Sequence, residues 1–332
     1  MKHFTSAFDV QSVRELIKLA LHLKKQPHAF ADAGKHLTLG TVFMNPSLRT
    51  RLSTAKAAQL LGMNLLSVNA QAESWTLDFS NDPMNHTTVE NIREAAAVLG
   101  EYCDILGVRS FPTLTDKYRD DSERDIIQWM NISKKPFISL ESATRHPLQS
   151  LADMVTIQEL FPQRKPKVVL MWAPHVKPVP HAVANSFAEW MYFMNADFTI
   201  ACPDEVRLNE EFTSHATVIN DQNAALRDAD IVYVKSWASY DEYGKLHNAP
   251  DWFLTAQKLK QTADAKVMHC LPVRRDVELS SEILDSPSSA VIRQAANRVP
   301  AAQAVLLQLI RDNYRSVLNL TTNETGTINS LT

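Results

Sequence analysis

Apolar and polar positions follow two periods that trade places repeatedly along this chain. Behind Ser12, the residues Val13, Leu16, Ile17, Ala20 and Leu23 recur at helical spacing, and Ser12 with Glu15 has the form of a capping box, so a helix is predicted over 12–23. The run from Leu37 to Phe43 predicts a strand, Arg49 to Leu61 a helix stopped at Gly62, Asn64 to Val68 a strand, and Thr88 to Leu99 a helix stopped at Gly100. Strands over 104–108 and 137–140 flank a helix near 122–130. After a helix from Pro147 to Leu160 the rhythm restarts, with strands over 167–172, 198–201, 231–235 and 266–269, a helix over 182–194, and a closing helix from Ala301 to Tyr314.

Short β-branched runs alternating with helices imply parallel sheets covered on both faces. The expected fold is α/β, with two doubly wound domains over 1–150 and 151–299 and a boundary near 147–165. The last helix, about 300–318, is expected to pack back on the first domain, and the polar tail 321–332 to fray. No repeat of solenoid period is present.

Charge narrows the partners. With 34 basic and 37 acidic side chains the net charge is −3, so no global basic field draws the chain to nucleic acid or an anionic membrane, and a bound anion must meet a local cluster. No apolar run approaches the roughly 20 residues of a membrane helix. The cysteines at 103, 202 and 270 form no C-x-x-C pair, which favours free thiols and a cytoplasmic location. Seven glycines, none spaced as G-x-G-x-x-G or as a P-loop, argue against a nicotinamide-dependent dehydrogenase and leave any phosphate to another device. Eleven histidines lie scattered, without H-E-x-x-H or paired-cysteine spacing, so no metal is expected.

Three segments could carry chemistry. Asn45-Pro46-Ser47-Leu48-Arg49-Thr50-Arg51 lies between a predicted strand and helix, at the carboxyl edge where such sheets bind ligands. Two arginines in a first turn oppose the helix dipole, and an anion between them and the N–H groups resolves the conflict; an ordinary capped helix with arginines paired elsewhere is the alternative. Arg145-His146-Pro147-Leu148-Gln149 opens a second helix, with Pro147 at its first position and His146 as either a capping residue or a catalyst. His269-Cys270-Leu271-Pro272 follows a short strand, where neighbours point to opposite faces, so His269 is badly placed to activate Cys270 as a nucleophile. The loop Trp172 to Pro180, with His175, is proline-rich and expected to be rigid.

Ser47-Leu48-Arg49-Thr50-Arg51, His146-Pro147-Leu148-Gln149 and His269-Cys270-Leu271-Pro272 together resemble the S-x-R-T-R, H-P-x-Q and H-C-L-P signatures of transcarbamylases, in order and over nearly the whole chain. No D-x-x-x-S-M-G loop of the ornithine enzymes is found, whereas 172–180 and Asn185 to Trp190 are similar to the branch acting on N-acylated ornithine. The resemblance implies carbamoyl transfer from carbamoyl phosphate to the δ-amine of an N-acylornithine in arginine biosynthesis, with no cofactor. It assigns the first domain to carbamoyl phosphate and the second to the N-acylornithine. Ser47, Leu48, Arg49 and Thr50 would hold the phosphate with Arg109, His146 and Arg298, and Gln149 would lie near the carbamoyl amide. Cys270 and Leu271 would sit where the substrates meet, Arg109, His146, Cys270 and Thr50 carrying the catalytic roles. Glu141, His175, Lys235 and Arg274 would contact the N-acylornithine, and Trp75 would enter a neighbouring subunit's site in a homotrimer.

At the position aligning near Val89, the resemblance implies proline in the succinyl branch and glutamate in the acetyl branch. Valine is neither, but unlike glutamate it does not repel a succinyl carboxylate, so N-succinylornithine is the expected acceptor and N-acetylornithine the alternative. A relative that binds carbamoyl phosphate without catalysis is the alternative of another class.

Overall fold

The computed structural model describes residues 1–74 and 76–314. Two five-stranded sheets, all parallel, form its frame. The first runs His3–Phe4, Phe137–Glu141, Ile105–Arg109, Thr38–Phe43, Asn64–Asn69; the second runs Thr217–Ile219, Asp197–Ala201, Lys167–Trp172, Ile231–Lys235, Lys266–Met268. Alternate strand residues feed different cores: Val168, Leu170 and Trp172 pack on one side of the second sheet, Val169 and Met171 on the other. Helices therefore flank both sheets, as the apolar runs required.

The helix Pro147–Leu160 joins the two halves. It is buried continuously from Pro147 to Ile157, which explains its lack of a polar stripe, and it packs on the helices Ala182–Met191 and Arg298–Asn313. The main core is continuous across it, from Leu39 in the first sheet to Val168 in the second. The closing helix packs on Val13–Lys25, Arg49–Leu60 and Pro147–Leu160. The tail 321–332 and the end of the expected 300–318 helix beyond Tyr314 lie outside the described residues.

Several local expectations need correction. The helix expected from Thr88 begins at Ile92, because Glu90–Asn91 pairs with Leu77–Asp78 in a small sheet and Asn91 then caps the helix. Gly100 does not stop it; the helix runs to Tyr102, and a Cβ at Gly100 would lie 2.6 Å from the Ser133 carbonyl oxygen, so the glycine marks a close helix crossing. Gly62 does end its helix, at φ +74°. Half of the Ser12 capping box forms: Ser12 Oγ accepts the Glu15 N–H at 3.3 Å, but the Glu15 carboxylate goes to Lys18. The closing helix starts at Arg298 rather than Ala301, since Pro300 still lies in a first turn whose N–H groups need no helical partner. The helix from Ala182 ends at Met191, and the short edge strands His3–Phe4 and Thr217–Ile219 carried no pattern long enough to read.

Candidate functional site

The strands that matter end at one crevice. Arg109, Glu141 and Lys235 are the last residues of their strands, and Ser47, His175 and Cys270 follow the ends of three others. A cavity of about 370 Å³ between the halves is lined by Ser47, Arg49, Thr50, Arg109, Glu141, His146, Gln149 and Arg298, and across it by His175, Lys235, Cys270 and Leu271. A larger cavity, about 720 Å³, lies between Val13–Lys25 and the end of the closing helix, and none of these residues lines it.

One end of the crevice concentrates positive charge. Ser47 Oγ caps the helix Arg49–Leu60 by accepting the Thr50 N–H at 3.2 Å. Arg298 Nη1 donates to Gln149 Oε1 at 2.8 Å and Nη2 to Thr50 Oγ1 at 2.7 Å. Arg109 Nη1 donates to the Glu141 carboxylate and lies 3.5 Å from Thr50 Oγ1, with its guanidinium over the Phe111 ring. Arg49, Arg109 and Arg298 thus share one carboxylate, Glu141, and the Nε of each is buried without a hydrogen-bond partner. Burial and the neighbouring Arg109 lower the Arg298 guanidinium to about 10. His146, fully enclosed and facing Arg298, Arg109 and Arg49, is pushed far below the ordinary imidazole value by burial and those charges, so it is neutral. Its Nε2 lies 3.3 Å from Glu141 and its Nδ1 is unpartnered. Clustered guanidiniums at two helix starts have the charge and geometry to receive an anion, and the neutral imidazole can offer one N–H donor.

The other end is a buried polar floor. His269 Nε2 lies 3.2 Å from Glu278 Oε1, while its Nδ1 accepts the Leu271 N–H at 3.0 Å. Those partners assign the Nε2–H tautomer. Burial would raise the Glu278 carboxyl, but the His269 hydrogen bond, the charge of Lys235 and the Arg274 N–H outweigh it and hold it at about 2. Lys235 Nζ donates to the Ser236 carbonyl at 2.7 Å and its ammonium faces the same cavity. Leu271 sits in the left-handed region at φ +56°, a conformation costing a non-glycine residue on the order of 1–3 kcal/mol, held by its N–H bond to His269. Burial pushes the Cys270 thiol up to about 11. His269, committed to Glu278 and Leu271, does not serve that sulfur as a base.

Most expected site residues meet in this cavity. Four do not. Arg51 turns out to exposed Glu73 at 3.8 Å, so only one of the two first-turn arginines faces the crevice. The Leu48 side chain is 68% exposed, leaving only its backbone for an anion. Arg274 stands outside the lining and reaches it through His175, donating from Nε to Nε2 at 3.1 Å. Trp75 lies outside the described residues. The sequence reading missed Glu278, Phe111, Leu114 and Val183 as lining. For Phe111 and Leu114 the signal was available, since they follow Arg109 at a strand's carboxyl end. The loop expected to be rigid contributes Lys177 to Pro180 to the rim. Among the described residues no group of three or more His, Cys, Asp or Glu side chains could hold a metal ion.

Comparison with known proteins adds the following. The carbamoyl-P binding domain of the aspartate/ornithine carbamoyltransferases matches residues 2–159, and the Asp/Orn binding domain matches residues 180–309. N-succinylornithine carbamoyltransferase of Bacteroides thetaiotaomicron is 42% identical over 314 residues, covering 93% of this chain and 99% of that protein. N-acetylornithine carbamoyltransferase of Xanthomonas campestris is 31% identical, covering 93% and 98%. The crystal structure of an acetylornithine transcarbamylase with acetylcitrulline superposes with a TM-score of 0.88 at 30% identity, covering 93% of this chain and 99% of that one. A variant of such an enzyme with glutamate replaced by valine, crystallised with carbamyl phosphate and N-succinyl-L-norvaline, gives 0.87 at 31% identity, covering 93% and 100%.

Proposed function

The chain belongs to the aspartate/ornithine carbamoyltransferase family, and on that premise we propose that it transfers the carbamoyl group of carbamoyl phosphate to the δ-amine of N-succinyl-L-ornithine, releasing N-succinyl-L-citrulline and phosphate. The observation that carries this reading is the set of three guanidiniums and one neutral imidazole that line the cavity with Thr50 and share the Glu141 carboxylate.

In this reading Ser47, Arg49, Thr50 and Arg298 hold the phosphate, with the Leu48 N–H at the same helix start. Arg109 and His146 donate to the carbonyl oxygen as the amine attacks, and Gln149 faces the carbamoyl amide. The new C–N bond forms as the C–O bond to phosphate breaks; the phosphate leaves with the electron pair and takes up the proton that the attacking nitrogen gives up. Charge grows on the carbonyl oxygen and the departing phosphate, so donors fixed there favour the transition state over the ground state. His175, Lys235 and Glu141 bind the N-acylornithine, with Arg274 at the rim, and two halves of one crevice hold both reactants in line. Cys270 acts by shape at the meeting point rather than as a nucleophile.

Higher identity to the succinyl enzyme than to the acetyl enzyme supports the succinyl acceptor. So does Val89, the apolar residue that the resemblance sets near the glutamate position of the acetyl branch. The working form we propose is a homotrimer in which Trp75 completes a neighbouring site; exposed Leu48, capping the helix Arg49–Leu60, and Leu52, one turn into it, offer an apolar face for subunit contact. Three free thiols, and no described helix long and apolar enough to cross a membrane, support a cytoplasmic role in arginine biosynthesis.

The test is turnover of carbamoyl phosphate with N-succinylornithine, N-acetylornithine or ornithine, following phosphate and ureido product. Highest kcat/KM with the succinyl substrate is expected. Preference for the acetyl substrate would overturn the acceptor, and no turnover with any would favour a binding-only protein.

A further inference from the structure

Behind the crevice, outside its lining, lies a carboxylate to which no role has been given. Asp153, one turn beyond Gln149 on the helix Pro147–Leu160, has no exposed surface. Its Oδ1 accepts Gln149 Nε2 at 2.7 Å and Gln294 Nε2 at 2.7 Å. A carboxamide that gives its nitrogen to one partner turns its oxygen the other way. Gln149 Oε1 accordingly meets Arg298 Nη1 at 2.8 Å, and Gln294 Oε1 meets the His269 N–H at 2.8 Å. The first arm sets the guanidinium that also holds Thr50; the second sets the backbone entering Cys270 and Leu271. One buried oxygen thereby anchors the nitrogens of two amides whose oxygens reach opposite walls of the crevice.

We propose that Asp153 is a positioning residue, which orients Gln149 to hold Arg298 at the anion end and Gln294 to hold the Cys270–Leu271 turn. The proposal deepens the carbamoyl-transfer reading and rests on it for the identity of the anion. Burial lifts this carboxyl to about 7, against the hydrogen bonds of Gln294, Gln149 and Tyr233 and the charge of Arg298 that pull it down; what the two amides need from it is an acceptor oxygen, not a full charge.

That distinction sets the test, which uses inorganic phosphate as the probe and calorimetric Kd as the readout, so that it does not depend on turnover. Asp153→Ala is expected to weaken phosphate binding at least tenfold, while Asp153→Asn, which keeps an oxygen in place, stays within threefold of the wild type. Gln149→Ala is expected to weaken binding as much as Asp153→Ala, and the double variant little more than either, because Asp153 acts on this end through Gln149. Effects of the two single variants that multiply in the double, or an Asn variant as weak as the Ala variant, would overturn the proposal. Should Asp153→Ala fail to fold, the Asn variant and Gln149→Ala decide: a tenfold loss in the first, or under twofold in the second, would overturn it. A wild type without carbamoyl transfer would defeat the functional reading while leaving this phosphate-binding comparison to stand or fall separately.

Discussion

Arg298 Nη2 donates to Thr50 Oγ1 at 2.7 Å, tying the first turn of the closing helix to the first turn of a helix 248 residues earlier. Its other amine goes to the neutral oxygen of Gln149, so both partners fix the guanidinium without neutralising it. Arg298→Ala should therefore cost roughly 100-fold in kcat/KM for carbamoyl phosphate, the scale of one lost transition-state donor. Arg298→Lys should recover only part of this, since a point charge cannot span two acceptors as the planar fork does. Steady-state kinetics check both; a loss under fivefold in the alanine variant would contradict the assignment.

His146 supplies a pH test. Its folded value lies far below the imidazole value of about 6.5 expected in the unfolded chain, because of burial and the facing arginines. Below about pH 6.5 the unfolded chain then binds protons that the folded one refuses, so the stabilisation is full above that pH and is lost as pH falls. His181, held at about 4 mainly by burial, acts in the same direction. His146→Asn should shrink the drop in urea midpoint between pH 7.5 and pH 5; an unchanged drop would show that His146 titrates normally.

Cys270 should behave as an inert thiol. With burial holding it near 11, and Cys103 and Cys202 at about 11 and about 12, native protein at pH 7.5 should resist iodoacetamide and react fully only after unfolding. Cys270→Ser should retain turnover within about tenfold, where loss of a true covalent nucleophile costs about 10⁴-fold or more. Mass spectrometry and initial rates read the two outcomes.

The attacking amine must be uncharged, and its free value resembles that of lysine at about 10.4. Turnover should rise with pH through the alkaline range. A flat kcat profile from pH 7 to 9.5 would show that a step other than attack by the neutral amine limits the rate.

Shared sites require an assembly. Sedimentation should show a trimer for the wild type and for Trp75→Ala, with poor activity in the variant. An active monomer would contradict the shared-site reading.

Much of this was legible in the sequence, for physical reasons that also mark where legibility stopped. Strand and helix periods placed Arg109, His146 and Cys270 at strand or helix ends, which in a parallel α/β fold is a statement about the ligand edge. Which of Arg49 and Arg51 faces inward was not readable from charge, although residues two apart on a helix diverge; Glu73 takes the second. Glu278 was missed because the segment after Met268 has no periodicity, and only folding brings its carboxylate back to His269 nine residues earlier. Gly100 read as a helix stop because a crossing helix supplies its reason, and such a contact leaves no trace in local sequence.

The central claim, that two helix starts and three guanidiniums hold an acyl phosphate, is tested most directly by a crystal structure with carbamoyl phosphate bound. The phosphate is expected within hydrogen-bond distance of Arg49, Thr50 and Arg298, with the carbonyl oxygen toward Arg109 and His146. The compound lodged elsewhere, with those side chains unmoved and untouched, would contradict it.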